Sequence, residues 1–426
     1  MNLSSKVAFN TFAQIAGRVV NVVLGFLVTV FLTRTLGVGG YGDYIFVTSA
    51  VLFFVAFSDL GLGTIGVREA VKQEKAASQI FGTTLTTKFF LSFFAFAVFS
   101  VLALTMPQFG ELSSIALVAG LVLFFLSLRT SCEVIFQTFL RLELTSFLQV
   151  LSTAILVLGI WLFYDNLSLI WVMKFWVLGA LVTAILGVIL ATRLTKINFR
   201  FNPGLAKNLF REALPLGLFF LTYSAYDQGI DSFMLKTLVG SEAVGFYGLP
   251  YKIHSNLILV AAYLMNSLFP MMSGFQIGDK KKFQRLYQKA FVLLFSLGTL
   301  GALGILVLAP WVVKIIGGAD FAPSVLVLRI LSLATFVAFL NHLTGYTLVA
   351  SGKQKTLLKI ALLALATNIF FNWLLIPRFS FYGAALVTVL TEALVFIFSS
   401  IYLSYKMNLK ISLFSNFFNP RKKGWG

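Results

Sequence analysis

The chain has 426 residues, of which 59% are hydrophobic, 15% aromatic and 11% charged, with a mean hydropathy of +0.93. Soluble globular chains are about 45–50% apolar and about 25% charged, so this composition excludes a soluble enzyme, a disordered protein and a disulfide scaffold. A formal net charge of +18 would suggest nucleic acid in a soluble chain; here the cations sit in short stretches between long apolar runs, where they read as membrane topology and not as a nucleic-acid surface.

In chain order, about twelve apolar segments can each cross ~30 Å of hydrocarbon at a rise of ~1.5 Å per residue. The first six are 8–32, 41–60, 81–105, 112–137, 144–163 and 168–192. The second six are 212–236, 244–270, 288–310, 323–349, 356–376 and 383–405. The expected architecture is all-α and polytopic, with one six-helix lobe over 1–200 and another over 201–426. Segment 8–32 does not read as a signal peptide: it is too long for an h-region, carries Arg18 in mid-span and lacks a small-residue cleavage site. Basic residues concentrate in alternate loops, and the other loops hold only Arg34, Lys236, Lys314 and Arg378. By the positive-inside rule both termini are then cytoplasmic, and loops such as Pro107–Glu111 face outward, too short to house a catalytic domain.

The chain repeats itself. Phe31-Leu-Thr-Arg34-Thr-Leu36 runs on through Gly39 and Gly42 to Tyr44, and Phe233-Met-Leu-Lys236-Thr-Leu238 runs on through Gly240 and Gly245 to Tyr247. Six spans per half is an even number, so the halves share an orientation and an axis along the membrane normal relates them. Transporters built this way hold substrate in a central cavity between the halves and expose it alternately to each side. Gly37-Val-Gly-Gly-Tyr-Gly42 matches a dinucleotide fingerprint letter for letter, but no strand precedes it, so it reads as a tight loop between helix ends. There is no Walker motif, and one cysteine (Cys132) with two histidines (His254, His342) cannot build a zinc centre.

Charges inside spans are expensive, by ~2.5–3.5 kcal/mol each on insertion scales, and mark a bundle interior or a wet cavity. Arg18, Lys88, Arg129, Glu133, Lys174, Asp227, Asp231, Lys252, Arg329 and Glu392 fall in or near spans. Lys88 and Lys174 lie close enough to helix ends to snorkel. Arg129 and Glu133 are four apart and can pair on one helical face, which leaves either a self-neutralised pair or a guanidinium held ready for an anion. Asp227 and Asp231 share a face; two carboxylates so placed cannot both ionise cheaply, so they read either as a site for a coupling H⁺ or Na⁺ or as the partner of a cation such as Lys252. Asp59, followed by Arg68-Glu69, reads as a helix-end gate or cap with local ion pairing. Asn341, His342, Asn368 and Asn372 read as contacts to neighbouring helices.

These motifs form an ordered series. Phe31…Arg34…Gly37, Tyr41-Gly-x-Tyr44 and Asp59-Leu-Gly-Leu-Gly63 with Arg68-Glu69 come first. Leu214-Pro215, Asp227…Asp231, Val244-Gly-x-Tyr247, Leu268-Phe-Pro270 and Gly318-x-x-Phe-Ala-Pro323 follow, then Asn372…Ile376-Pro377…Gly383-Ala-Ala385…Glu392. The series resembles the polysaccharide repeat-unit flippases, as used for O-antigen and capsule, of the multidrug/oligosaccharidyl-lipid/polysaccharide exporter superfamily. The resemblance implies an undecaprenyl-diphosphate-linked oligosaccharide moved from the inner to the outer leaflet of a bacterial plasma membrane, with membrane lipid around it. It also implies neighbours such as a polysaccharide polymerase and a chain-length regulator, and no cofactor beyond a coupling H⁺ or Na⁺. Carried over by position, Arg18 and Arg129, with Lys252 and Arg329, would bind the diphosphate, and Asp227 with Asp231 would hold the coupling ion. Arg34, Asp59, Arg68, Glu69, Glu133 and Glu392 would serve as gate or structural residues. Two alternatives stay open: a cation-coupled drug exporter of the same superfamily, and a membrane-embedded glycosyltransferase or polymerase, which would need larger loops.

Overall fold

A computed structural model describes residues 3–72, 76–195, 201–225, 229–407 and 409. Among the described residues the chain is helical, with no strand, because in lipid each backbone N–H and C=O must be satisfied within its own segment. The helices are α1 (Leu3–Thr35), α2 (Gly37–Asp59), α3 (Leu62–Lys72), α4 (Ala77–Thr105), α5 (Ser113–Gly120), α6 (Val122–Thr138), α7 (Leu142–Leu162) and α8 (Leu169–Leu194). They continue as α9 (Pro203–Ser224), α10 (Ile230–Leu238), α11 (Ser241–Gly278), α12 (Lys280–Gly317), α13 (Ser324–Ala350) and α14 (Gln354–Met407).

Among the described residues, ten helical stretches are long and apolar enough to cross a membrane. Two features relate that number to the twelve segments expected. At 54 residues α14 would be about 80 Å long, more than twice the thickness of the hydrocarbon layer. It breaks at Ser380 (φ 52, ψ −136), three residues after Pro377, so 354–379 and 381–407 are separate crossings. Helices α9 and α10 lie along the expected seventh segment, on either side of 226–228, which are outside the described residues. Elsewhere the punctuation is local: α9 opens with Pro203 at its first position behind Asn202, whose side chain accepts the Leu205 N–H at 3.0 Å.

The chain forms two compact units. One comprises Met1–Gly245 with Ile315–Asp320, the other Phe246–Lys314 with Phe321–Gly426. In the first, Phe81, Cys132, Ile135 and Phe136 are fully buried between α4, α6, α7 and α8. In the second, Met265, Tyr287, Leu294, Leu343 and Leu403 join α11 to α14. The outer face of α4 presents Phe89, Phe90, Phe93 and Phe94, all more than half exposed, as a surface that meets lipid tails and not water.

The sequence repeat maps onto two like corners of the first unit. Helices α1 and α10 end just beyond Arg34 and Lys236, and α2 and α11 begin after a short turn. These corners pack on each other reciprocally: a Cβ on Gly42 would lie 1.8 Å from the Ser241 carbonyl oxygen, and one on Gly245 would lie 2.3 Å from that of Val38. Val38 and Ser241, like Gly42 and Gly245, are 203 residues apart, so the contact is its own image under a local twofold.

Candidate functional site

Charges within the first unit are placed with care. Lys88 does not snorkel: its side chain is 1% exposed, and its Nζ lies 2.6 Å from Asp59 Oδ1 and donates to Thr130 Oγ1 at 2.7 Å. Position explains the difference, because Lys88 sits more than a third of the way along α4, facing α2 and α6 and not the helix end. Asp59 also accepts the Gly61 N–H at 3.2 Å, so it both caps the corner after α2 and holds a buried ammonium. Beside it opens a cavity of about 290 Å³ lined by Asp59, Thr64, Thr130, Glu133 and Gln137. The local pairing open to Arg129 and Glu133 is not made: no ion pair joins them within 4.0 Å, and Glu133 lines this cavity.

Two guanidinium groups each keep a buried nitrogen without a partner. The Nε of Arg18 and the Nε of Arg129 are each buried with no hydrogen-bond partner. Leaving such a donor unpaired costs ~1–3 kcal/mol, more for a charged group, which is tolerable where a ligand completes it. Arg18 is carried where α1 packs on α7 through Gly17 against Ser146, and one turn further Thr153 donates to Asn21 at 2.6 Å. Arg129 is carried by α6, one turn from Glu133.

The remaining expected residues take varied places. Asp231 is buried, at 1% exposed, in the first turn of α10, and Asp227 lies outside the described residues. Arg34 donates to the Ile315 carbonyl at 3.0 Å while Thr33 donates to that of Ile316 at 2.7 Å, so both cap free carbonyls at the end of α12. Arg68 pairs with Glu69 at 2.8 Å and, across to α9, with Glu212; Lys72 closes on Glu69 at 2.9 Å. In the second unit Lys252 is half-buried on α11 and, among the described residues, has no ion pair within 4.0 Å. Arg329 is exposed and donates to the Leu306 carbonyl at 3.3 Å. Glu392 accepts from Asn341 Nδ2 at 2.6 Å. His254 is buried against Thr335 at 2.8 Å, His342 faces the Ala338 carbonyl at 2.9 Å, and Asn372 donates to Asn368 at 3.0 Å.

Sequence reasoning passed over Asp43 and Glu212. Asp43 Oδ1 lies 2.6 Å from Lys236 Nζ and accepts from Ser241 Oγ at 2.6 Å, and Glu212 receives Arg68. The signal was scarcity: with 15 acidic residues against 33 basic ones, each acid near a span has cations competing for it.

A second cavity of about 210 Å³ in the same unit is of opposite character. Phe46, Phe53, Phe54, Phe99, Phe109 and Phe233 wall it, and among the described residues its only hydroxyl belongs to Ser49.

The chain matches the family described as polysaccharide biosynthesis protein over residues 7–276, and the MatE family over residues 215–374. It is 23% identical over 393 residues to the capsular polysaccharide biosynthesis protein CapF of Staphylococcus aureus, covering 89% of this chain and 93% of that protein. It is 26% identical over 168 residues to the probable flippase AglR of Haloferax volcanii, covering 39% and 35%. Among solved structures it resembles lipid II flippase MurJ in an inward closed conformation (TM-score 0.76, 14% identity, 93% and 87% covered). It also resembles an inward-facing MATE multidrug transporter (TM-score 0.71, 13% identity, 91% and 96% covered). At these identities the solved structures speak to the fold: a polytopic helical transporter fold.

Proposed function

Because the chain belongs to the polysaccharide biosynthesis protein family, we propose that it is a flippase for undecaprenyl-diphosphate-linked oligosaccharides, working from the inner to the outer leaflet of a bacterial plasma membrane. The observation that carries the reading is the pair of buried, unpartnered guanidinium nitrogens on Arg18 and Arg129. A diphosphate–sugar headgroup is large, hydrated and anionic, so bare hydrocarbon is closed to it. Arginine's planar fork bonds phosphate oxygens in pairs and stays charged when desolvated. Arg18 and Arg129 take the diphosphate, helped by Lys252 and Arg329, while the prenyl tail stays in lipid. The names of CapF and AglR support the substrate class.

In this reading the lobes over 1–200 and 201–426 alternate about their axis, with both termini in the cytoplasm and no cofactor beyond a coupling H⁺ or Na⁺ at Asp227 and Asp231. Moving one charge across ~100 mV is worth about 2.3 kcal/mol with the interior negative, so export of a diphosphate is favoured if the carrier returns empty. A polymerase and a chain-length regulator would act on the product.

The second reading, a cation-coupled drug exporter, draws on the MatE match over 215–374. An organic cation would want acidic walls, which Asp59 and Glu133 supply to one cavity, whereas the buried, unpartnered Nε atoms of Arg18 and Arg129 favour an anion. The test is translocation in proteoliposomes of a fluorescent undecaprenyl-diphosphate oligosaccharide, read by quencher accessibility with and without a pH or Na⁺ gradient. Gradient-responsive movement supports the flippase; no movement, with gradient-driven efflux of an organic cation, replaces it with the exporter.

A further inference from the structure

Helix α12 has two unlike sides. One is core: Phe283, Tyr287, Ala290 and Leu294 are buried within the second unit. The other side begins with cations. Lys281, Arg285 and Lys289 recur every four residues, so at about 3.6 residues per turn they form one row, and all three are exposed. The row then continues, still exposed, in a different chemistry: Leu293, Leu300, Leu303 and Val307, ending at Trp311.

The cations do nothing for the helix that carries them. Like charges four apart repel, and cations in the first turns oppose the helix dipole, so the row costs α12 stability. Acids are also scarce, since the sequence of the second unit holds only Asp279 and Glu392. Asp279 lies 3.6 Å from Lys282, and Glu392 accepts from Asn341. Among the described residues, Lys281, Arg285 and Lys289 have no ion pair within 4.0 Å.

Depth identifies the anion they meet. Leu293 and Trp311 are 18 positions apart, about 27 Å of helix, close to the ~30 Å hydrocarbon layer whose boundary tryptophan favours. Lys289 then stands at the opposite boundary, and Lys281 lies about 12 Å beyond it along the axis. The headgroup layer there is about 5–8 Å deep, within reach of long cationic side chains from either direction. A soluble acidic partner gives no reason for the cationic row to run without a break into a lipid-facing one.

We propose that Lys281, Arg285 and Lys289 bind the phosphate of an anionic glycerophospholipid whose acyl chains lie along Leu293 and Leu300. The lipid belongs to the leaflet at the N-terminal end of α12, the cytoplasmic one by the bias of the basic loops. It is a resident of the lipid-facing surface and not cargo, so this inference does not rest on the flippase reading.

The experiment places a bimane fluorophore on Ser296→Cys in a Cys132→Ala background; Ser296 is exposed on this side, between Leu293 and Leu300. In vesicles, phosphatidylglycerol with brominated chains should quench the label at roughly fivefold lower lipid fraction than brominated phosphatidylcholine. The triple variant Lys281→Gln, Arg285→Gln, Lys289→Gln should make the two lipids equal, and Arg285→Gln alone should give an intermediate ratio. Equal quenching by both lipids in the labelled parent overturns the proposal, as does a preference that survives the triple variant. Undecaprenyl phosphate that relieves the quenching at equal fraction would make the row a cargo site. Inorganic phosphate that does so at matched ionic strength would make it a site for a free anion. Either result overturns the phospholipid assignment.

Discussion

The two cavities of the first unit share α2 as a wall yet have opposite chemistry. Near Asp59 carboxylates, hydroxyls and an amide share the wall with Val67 and Val134; near Phe46 six phenylalanines and further apolar residues leave one serine. Along one helix, then, the medium changes from one that can hold a hydrated ion to one that can hold only hydrocarbon. An average of 11% charged residues conceals this, because the few charges are gathered and not spread. The lesson is that in a chain this apolar, function is written in where polarity is concentrated.

The sharpest way to test the polar side is to remove the guanidinium next to it. Arg129→Ala should abolish export of surface polysaccharide at normal protein level, and Arg129→Lys should restore only part, since an ammonium lacks the bidentate fork. Unchanged polysaccharide would break the assignment. Next in size is Lys88→Met, which leaves the half-buried Asp59 carboxylate without its cation and should cost about 1–3 kcal/mol of stability. Thermal unfolding in detergent would read the loss, and the double variant Asp59→Asn with Lys88→Met should recover most of it. On the apolar side Ala50→Leu adds methyl groups into open space and should stabilise by up to ~1 kcal/mol, seen as a raised Tm. A lowered Tm would mean the wall has no room.

Smallest is the cap of α12, outside the spans. Asp279 accepts the Lys282 N–H at 2.9 Å, and this bond holds its carboxyl below the ordinary value of 3.8. A depressed carboxyl contributes its full stabilisation above its unfolded value and loses it as pH falls through the folded one. Asp279→Asn should therefore lower the neutral plateau of a Tm-against-pH profile slightly and leave its acid limit unchanged, which flattens the slope between them.

Much of this fold could be read directly from residues. Apolar runs of 20 or more between basic loops permit little except helices across a membrane, and Pro377 announced a break that Ser380 completes. The corners at Gly42 and Gly245 were visible as a repeat, though not that they touch. What stayed illegible was partnership. Lys88 looked like a residue able to reach the helix end because spacing along a helix says nothing about which neighbour faces it. Arg129 and Glu133 satisfied the four-residue rule and act on each other electrostatically, yet they make no contact within 4.0 Å, and Glu133 lines the cavity beside Asp59. Glu212, 144 positions from Arg68, left no local trace at all.

The Asp59–Lys88 pair bears on how the chain is made. A lone ammonium more than a third of the way along α4 would add to the cost of inserting that segment. Synthesis runs from the N-terminus, so the carboxylate on α2 has already emerged when Lys88 leaves the ribosome. Segments 37–59 and 77–105 can then enter the bilayer with this ammonium already paired, and biogenesis, as much as transport, depends on the Asp59 carboxylate being in place first.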